Sequence, residues 1–171
     1  MGIKLNTGIS DEDRAAICLE LNKILADVYV TFVQARNFHW NVIGSQFQPF
    51  HGKFQEIYEL MDSTGDDIAE RVRALDGIPV ATMAEWIALS SLKEVSSSQK
   101  VLSATEMVII LVSNLENIVS DMRELCSDDE DSETPEEEAA ECDCDEATET
   151  MLGAQMLDIE KQVWMLRSFL A

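Results

Sequence analysis

The feature that most constrains this fold is an apolar stripe of roughly thirty residues that no proline or glycine interrupts. Its members are three and four residues apart, which is the spacing of one face of an α-helix. Ser10 precedes three acidic residues, and a hydroxyl followed by acids is typical of a helix start. The sequence therefore predicts one long first helix. The stripe consists of Ile17, Leu21, Ile24, Val28, Phe32 and Ala35, and its next step falls on His39.

The remaining sequence predicts three further long helices and one short helix. Glycine and proline are scarce, at 7 and 3 residues, which favours helix over strand. The short helix lies within a long connection, which implies a crossover. The predicted fold class is all-α, a four-helix bundle with a short extra helix in the crossover between helices two and three. The later long helices are expected at about residues 49–75, 104–126 and 145–170, the last with Leu170 facing inward, and the short helix at about 83–92.

Both histidines of the chain, His39 and His51, flank the predicted turn between the first two helices. Asp66 and Glu70 are four residues apart on the second helix, so their carboxylates share a face and suit a hard cation. Antiparallel packing can bring the histidines together, but about 22 Å of straight helix separates His51 from Asp66. We therefore expect a shared metal to be bound by histidines of one chain and carboxylates of another, across a two-fold axis.

Each part of this pattern also has a simpler interpretation. A lone histidine at the end of an apolar stripe is more often a hydrogen-bonded core residue than a ligand, and acids along a helix usually form a solvated face. The presence of a second histidine near the first, together with the acid pair, favours a metal site over these interpretations.

The charge distribution excludes nucleic acid as a favourable partner. The net charge is −21, and affinity for phosphates depends on Lys and Arg. Residues 128–149 contain 13 acids and no Lys or Arg, so the excess is concentrated near an acidic insert at about residues 127–144. Its composition is typical of a solvated linker, although clustered carboxylates also attract cations.

The length of 171 residues predicts a single domain spanning residues 1–171. No apolar run is long enough to cross a membrane and no signal segment is evident, so a cytoplasmic location without membrane contact is expected. The four cysteines show no disulfide framework, and free thiols are expected. Cys142 and Cys144 form a C-x-C that could hold a soft metal, but it lacks a second ligand pair.

Four segments, NFHWNV, PFHGKF, DDIAERVRALDGIP and KQVWMLRSFL, together resemble the Dps family of miniferritins over nearly the whole chain. The ordered combination of HW, H and DxxxER is far more specific than any single part. The resemblance implies a ferritin-like bundle, twelve copies of which form a hollow shell. It also implies that Fe(II) is oxidised at two-fold dimer interfaces, typically by hydrogen peroxide, and that ferric mineral is stored inside.

The same resemblance assigns roles to individual residues. His39 and His51 match the ligand histidines of one chain, and Asp66 and Glu70 match the carboxylates of the other. Trp40 matches an aromatic residue beside the site that can lend an electron, which is a catalytic role.

The chain departs from the family pattern at Gln55, where an acid usually follows the second histidine by one helical turn. A neutral amide binds hard iron more weakly, so a second iron position is expected to be weaker here. Asp62 or Glu56 could compensate, and Asp62 is preferred because antiparallel pairing of two copies directs it towards Gln55 of the other. Family members also admit iron through acidic three-fold pores, for which the candidates are Asp143, Asp145 and Glu149.

Three classes of function remain open at this point. The first is a ferroxidase and iron store, which the ligand pattern favours. The second is protection exerted through DNA, which the charge disfavours, since DNA-binding members use a basic terminal tail and neither end of this sequence is basic. The third is a shell with a degenerate site that binds zinc, manganese or copper. A Glu-x-x-His motif is lacking at both histidines, which argues against a metal site inside one bundle.

Overall fold

The computed structural model describes residues 5–95, 102–127 and 144–170. Within these residues the secondary structure consists of five α-helices and no strand, so the all-α prediction is confirmed. Nearly all of the acidic insert, with Cys142 and Asp143, lies outside the described residues. The helices are α1 (Asp11–Asn41), α2 (Phe47–Ala74), α3 (Met83–Leu89), α4 (Ala104–Leu125) and α5 (Glu146–Arg167).

Side-chain caps explain where most of these helices begin. Thr82 and Ser103 each form a full capping box with the glutamate three residues later. Ser10 accepts a hydrogen bond from the backbone N–H of Asp13, and Asp145 caps α5 in a similar way. Each cap stabilises its helix by about 1 kcal/mol.

The four long helices run up, down, down and up. Residue interactions between α1 and α2, between α1 and α4, and between α4 and α5 pair later residues of one helix with earlier residues of the other, so these pairs are antiparallel. Helices α2 and α4 are therefore parallel, and the connection between them must travel the length of the bundle, which explains the crossover that carries α3. The contacts are Cys18–Val72 and His39–His51, Asp27–Asp121 and Gln34–Asn114, and Cys126–Cys144 and Glu116–Arg167.

The core follows the predicted stripes of α1 and α2, except that Phe32 in the middle of α1 is only half-buried. Every predicted inward position of α2 is buried. The last helix ends at Arg167 rather than near residue 170, so the prediction that Leu170 faces inward is wrong: it is 40% exposed. The buried positions of α2 are Phe50, Phe54, Ile57, Met61, Ile68, Val72 and Leu75.

A buried carboxylate holds the crossover against α1. Asp27 is 2% exposed and accepts hydrogen bonds from the hydroxyls of Ser90 and Ser91 and from the backbone N–H of Ser91. Helix α3 therefore ends at Leu89, three residues before the predicted end, because the two serines leave the helix to reach Asp27.

Helix α2 ends in a turn at Asp76 and Gly77, and these two residues have different roles in it. The N–H of Gly77 donates to Val72 O at 2.9 Å and that of Asp76 to Arg73 O at 3.0 Å, which is a Schellman motif. Asp76, not the glycine, has the left-handed conformation, with φ of 68°. Gly77 is required for packing instead, since a Cβ there would lie 2.6 Å from Cys18 Sγ and 3.0 Å from Val72 Cγ1.

No helix in the described parts of the chain combines the length and the apolar character that crossing a bilayer requires.

We predict opposite effects for substitutions at these two neighbouring positions. Asp76→Gly should raise the free energy of unfolding by about 1 kcal/mol, because glycine adopts a positive φ without strain. Gly77→Ala should lower it by about 1–3 kcal/mol, because the new methyl group overlaps Cys18. Urea denaturation at fixed protein concentration measures both. Adding Cys18→Ala to Gly77→Ala should recover part of the loss, and a Gly77→Ala chain as stable as the wild type would contradict the packing argument.

Candidate metal centre

The two histidines meet at the turn between α1 and α2. His39 lies in the last turn of α1 and His51 in the first turn and a half of α2, and their rings stack with centroids 3.7 Å apart. The loop that joins the helices reverses direction at Gly44, whose φ of 118° suits glycine alone. The short distance between the two rings confirms the prediction that the antiparallel hairpin brings the histidines together.

Reciprocal hydrogen bonds fix the tautomer of both rings. His39 Nδ1 lies 2.7 Å from the backbone carbonyl oxygen of His51, and His51 Nδ1 lies 2.8 Å from that of His39. Because a carbonyl oxygen only accepts, each Nδ1 must carry a proton and donate it. With Nδ1 as the donor, the neutral form of each ring has its lone pair on Nε2 and can offer it to a ligand, and such a hydrogen bond usually orients metal-binding histidines.

Two aromatic residues enclose this histidine pair. The ring of Phe47 stacks on His51 at 5.0 Å between centroids, and that of Tyr58 meets His39 edge-on at 5.4 Å. Trp40 is 68% exposed, and its ring has the Arg36 guanidinium 5.8 Å from its centroid. Sequence reasoning missed Tyr58, although its position seven residues after His51 places it on the same face of α2.

The two carboxylates form a separate half of the candidate site. Asp66 and Glu70 are both exposed on α2, and neither forms an ion pair with a described residue. Across residues 5–95, 102–127 and 144–170, no three His, Cys, Asp or Glu side chains are grouped so that they could hold a metal ion. One copy of the chain thus brings the histidines together and the acids together, but does not join the two groups.

Asp66 also lines an acidic surface cavity of about 400 Å³, which it shares with Tyr29, Glu59, Asp62 and Ser63. The Tyr29 ring lies between Gly65, where a Cβ would be 3.0 Å from the ring, and Trp86. The stacked Tyr29 and Trp86 rings are 4.1 Å apart. Burial raises the pKa of Tyr29, and the charges of Asp62 and Asp66 raise it further, so the phenol keeps its proton. Sequence reasoning missed Tyr29, because its partners are remote along the chain.

Some of the polar residues that follow His51 on α2 are bound to another side chain, and others are not. Gln55 Nε2 donates to Glu59 at 2.7 Å, while Glu56 pairs with the buried Lys53 at 2.8 Å. Among the described residues Asp62 has no hydrogen-bond or ion-pair partner, and it lines the cavity beside Asp66. Of the two acids considered as substitutes for Gln55, Asp62 is therefore the more available.

A salt bridge fixes the end of α2 against α5, directly after Glu70. Arg71 donates to Asp145 at 2.6 Å and to Thr148 Oγ1 at 2.8 Å. Burial raises the pKa of Asp145, but hydrogen bonds from Thr148 and Arg71 outweigh it and bring the pKa below its usual value. Asp145 thus serves as a cap and an ion-pair partner, which leaves Glu149 the freer of the described pore candidates.

Comparison with known proteins agrees with this architecture. The model of a family described as a ferritin-like domain matches residues 18–171. The chain is 36% identical to an uncharacterized low temperature-induced protein of Nostoc sp., with 98% of this chain and 87% of that protein covered. It is also 36% identical to a DNA protection during starvation protein of Brevibacillus brevis, with coverage of 90% and 94%.

Solved structures give the same result. A Dps protein from Bacillus brevis superposes with a TM-score of 0.78 at 32% identity, over 95% of this chain and all of that one. The Dps protein from Vibrio cholerae O1, described as a member of a superfamily of ferritin-like diiron-carboxylate proteins, superposes with a TM-score of 0.83 at 25% identity, over 100% and 99%. Sequence, fold and family model agree, and the chain belongs to the Dps family of ferritin-like miniferritins.

Proposed function

We propose that this chain oxidises Fe(II) to Fe(III) and stores the ferric mineral inside a homo-oligomeric shell, a dodecamer. In this proposal residues 1–171 form one ferritin-like domain, the protein acts in the cytoplasm, and hydrogen peroxide is the oxidant. The observation that carries the proposal is the pair of reciprocal bonds between His39 and His51, which leaves both Nε2 lone pairs for a metal.

The proposed site lies between two subunits. His39 and His51 come from one subunit, and Asp66 and Glu70 come from its neighbour across a two-fold axis. Two observations support this division: the described residues of one chain contain no complete ligand group, and α2 is one uninterrupted helix between the histidine and the acids. Two antiparallel copies of α2 would create two equivalent sites per dimer.

The proposed ligands suit iron as a substrate that is oxidised from Fe(II) to Fe(III). Carboxylates bind Fe(III) more strongly than Fe(II), so Asp66 and Glu70 favour the oxidised ion, while the imidazoles complete the coordination. Hydrogen peroxide accepts two electrons, one from each of two Fe(II) ions, and is reduced to water or hydroxide. Hydrolysis of the ferric ions releases protons, which the neighbouring carboxylates of Glu59 and Asp62 can accept before mineral forms.

The second iron position is proposed to depend on Asp62 rather than on Gln55. Asp62 is one turn from Asp66, and Gln55 uses its amide nitrogen to bind Glu59. Trp40 remains the proposed electron donor of the catalytic step. Tyr58 is a second aromatic residue for this role, supported by its edge-on contact with His39.

One observation favours a second candidate function. Because Gln55 replaces an acidic ligand, the site has less negative charge than the family pattern, and imidazole with carboxylate suits zinc, manganese or copper as well as iron. The alternative is therefore a shell with a degenerate site that holds other divalent metals without oxidising iron.

Direct DNA binding is not part of the proposal. The names of several relatives refer to DNA protection, but this chain has a net charge of −21, which opposes contact with a polyanion.

We expect Asp66→Asn combined with Glu70→Gln to slow iron oxidation at least about 100-fold, because both proposed anionic ligands become neutral. Fe(II) is loaded without oxygen, and ferric absorbance is followed after separate additions of hydrogen peroxide and oxygen. Asp67→Asn is a matched control, since Asp67 is next to Asp66 but faces Gln155 of α5. Gel filtration should show an intact shell in all variants. Rapid oxidation by the double variant, or no oxidation by the wild type, would contradict the proposal.

Mixing two inactive variants should restore part of the activity if the site is shared. In a dimer of His51→Ala and Asp66→Asn chains, one site has lost both groups and the other has both intact. Random mixing makes half of the dimers mixed, so about a quarter of wild-type activity should return. The two chains are co-expressed with different tags and the mixed shells purified. No recovery in verified mixed shells would contradict a site shared between two subunits.

Plasmid DNA should migrate unchanged in an agarose gel with the purified protein at moderate salt and without magnesium. The expected reason is repulsion between the acidic shell and the phosphates. A protein-dependent retardation under these conditions would contradict the prediction.

A further inference from the structure

Two cysteines outside the candidate metal centre lie in direct contact. Cys126 is the C-terminal cap of α4, and Cys144 comes immediately before Asp145, the N-terminal cap of α5. Their Sγ atoms are 3.4 Å apart, and both side chains are half-buried. Nothing in the proposed iron chemistry uses this pair.

We infer that Cys126 and Cys144 are a redox-active dithiol that forms a reversible intrachain disulfide. Helix ends hold both residues in place. The last turn of α4 fixes Cys126, and the bonds from Arg71 and Thr148 to Asp145 fix the residue next to Cys144. A disulfide needs the sulfur atoms to approach to about 2.05 Å. The observed Sγ–Sγ distance of 3.4 Å therefore has to shorten by about 1.4 Å.

The surroundings keep both groups as thiols until an oxidant arrives. Burial raises the pKa of Cys126, and burial also raises that of Cys144, with further contributions from the sulfur contact and from Glu149. The thiolate is the form that attacks a peroxide, so the raised pKa values make the oxidation slow at neutral pH and faster as the pH rises. The inferred oxidant is hydrogen peroxide, which is also the oxidant of the proposed iron chemistry.

The oxidation is balanced with hydrogen peroxide alone. One sulfur attacks a peroxide oxygen, the O–O bond breaks, and the products are a sulfenic acid and one water. The second sulfur attacks the sulfenic sulfur, the S–O bond breaks, and a second water leaves. Two thiols and one peroxide thus give one disulfide and two waters, and exchange with a small thiol such as glutathione restores the dithiol. This step does not depend on iron.

The bond would link the end of α4 covalently to the start of α5. Closing this ring restricts the unfolded chain, so the oxidised protein should be the more stable form. The other two cysteines provide controls. Cys18 is on α1 and is buried against Val72 of α2, and Cys142 lies outside the described residues.

The test uses the full-length protein, reduced, desalted and free of metal, and treated with hydrogen peroxide. Titration of denatured protein should show a loss of two of its four thiols, and peptide mass spectrometry should find the fragments of residues 126 and 144 joined with the loss of two hydrogens. The melting temperature should rise by several degrees and return after reduction.

Single serine variants identify the pair. Cys126→Ser and Cys144→Ser should each prevent formation of the disulfide, whereas Cys18→Ser and Cys142→Ser should still lose two thiols. Four thiols remaining in the wild type, a linkage that Cys142→Ser abolishes, or a bond between two chains on a non-reducing gel would each overturn the inference. Because the assay contains no iron, its failure would leave the proposed iron oxidation unaffected.

Discussion

The uninterrupted helix α2 holds the histidine pair and the carboxylate pair of one chain far apart, and the rest of the proposed site depends on this separation. Its 28 residues form one helix without a break. At 1.5 Å per residue, such a rod keeps His51 and Asp66 about 22 Å apart, far beyond the reach of one ion. The neighbouring helices hold α2 in place, because α1 packs along it and α5 is joined to its end through Arg71. The proposed metal centre, which uses both histidines and both carboxylates, therefore requires a second copy of the chain.

Much of this architecture could be predicted from the sequence, because it depends on local rules. The inward face of α2 follows helical spacing, and the starts of α1, α4 and α5 follow from capping residues. The meeting of the histidines follows from a short turn between antiparallel helices. The helix ends were less predictable, because Ser90 leaves α3 to bind Asp27, sixty-three positions earlier in the chain.

Several features that sequence reasoning missed depend on contacts between elements. Gly77 looks like a typical helix terminator, yet it is required by Cys18 on another helix. Tyr29 reaches the acidic cavity because Gly65 leaves room for its ring and Trp86 covers the other side. Spacing along one helix carries no information about such pairs. The histidine tautomers are a similar case, since they depend on the carbonyl of the opposite helix.

The reciprocal histidine bonds also determine how this centre can change during evolution. Each imidazole is oriented by a main-chain carbonyl, not by the other side chain. The acceptor therefore survives replacement of either histidine, and the remaining ring keeps its tautomer. One ligand can be exchanged without disordering the other. In the proposed centre, either histidine can therefore be replaced by a single substitution while the other keeps its orientation, so the ligand set is open to stepwise change.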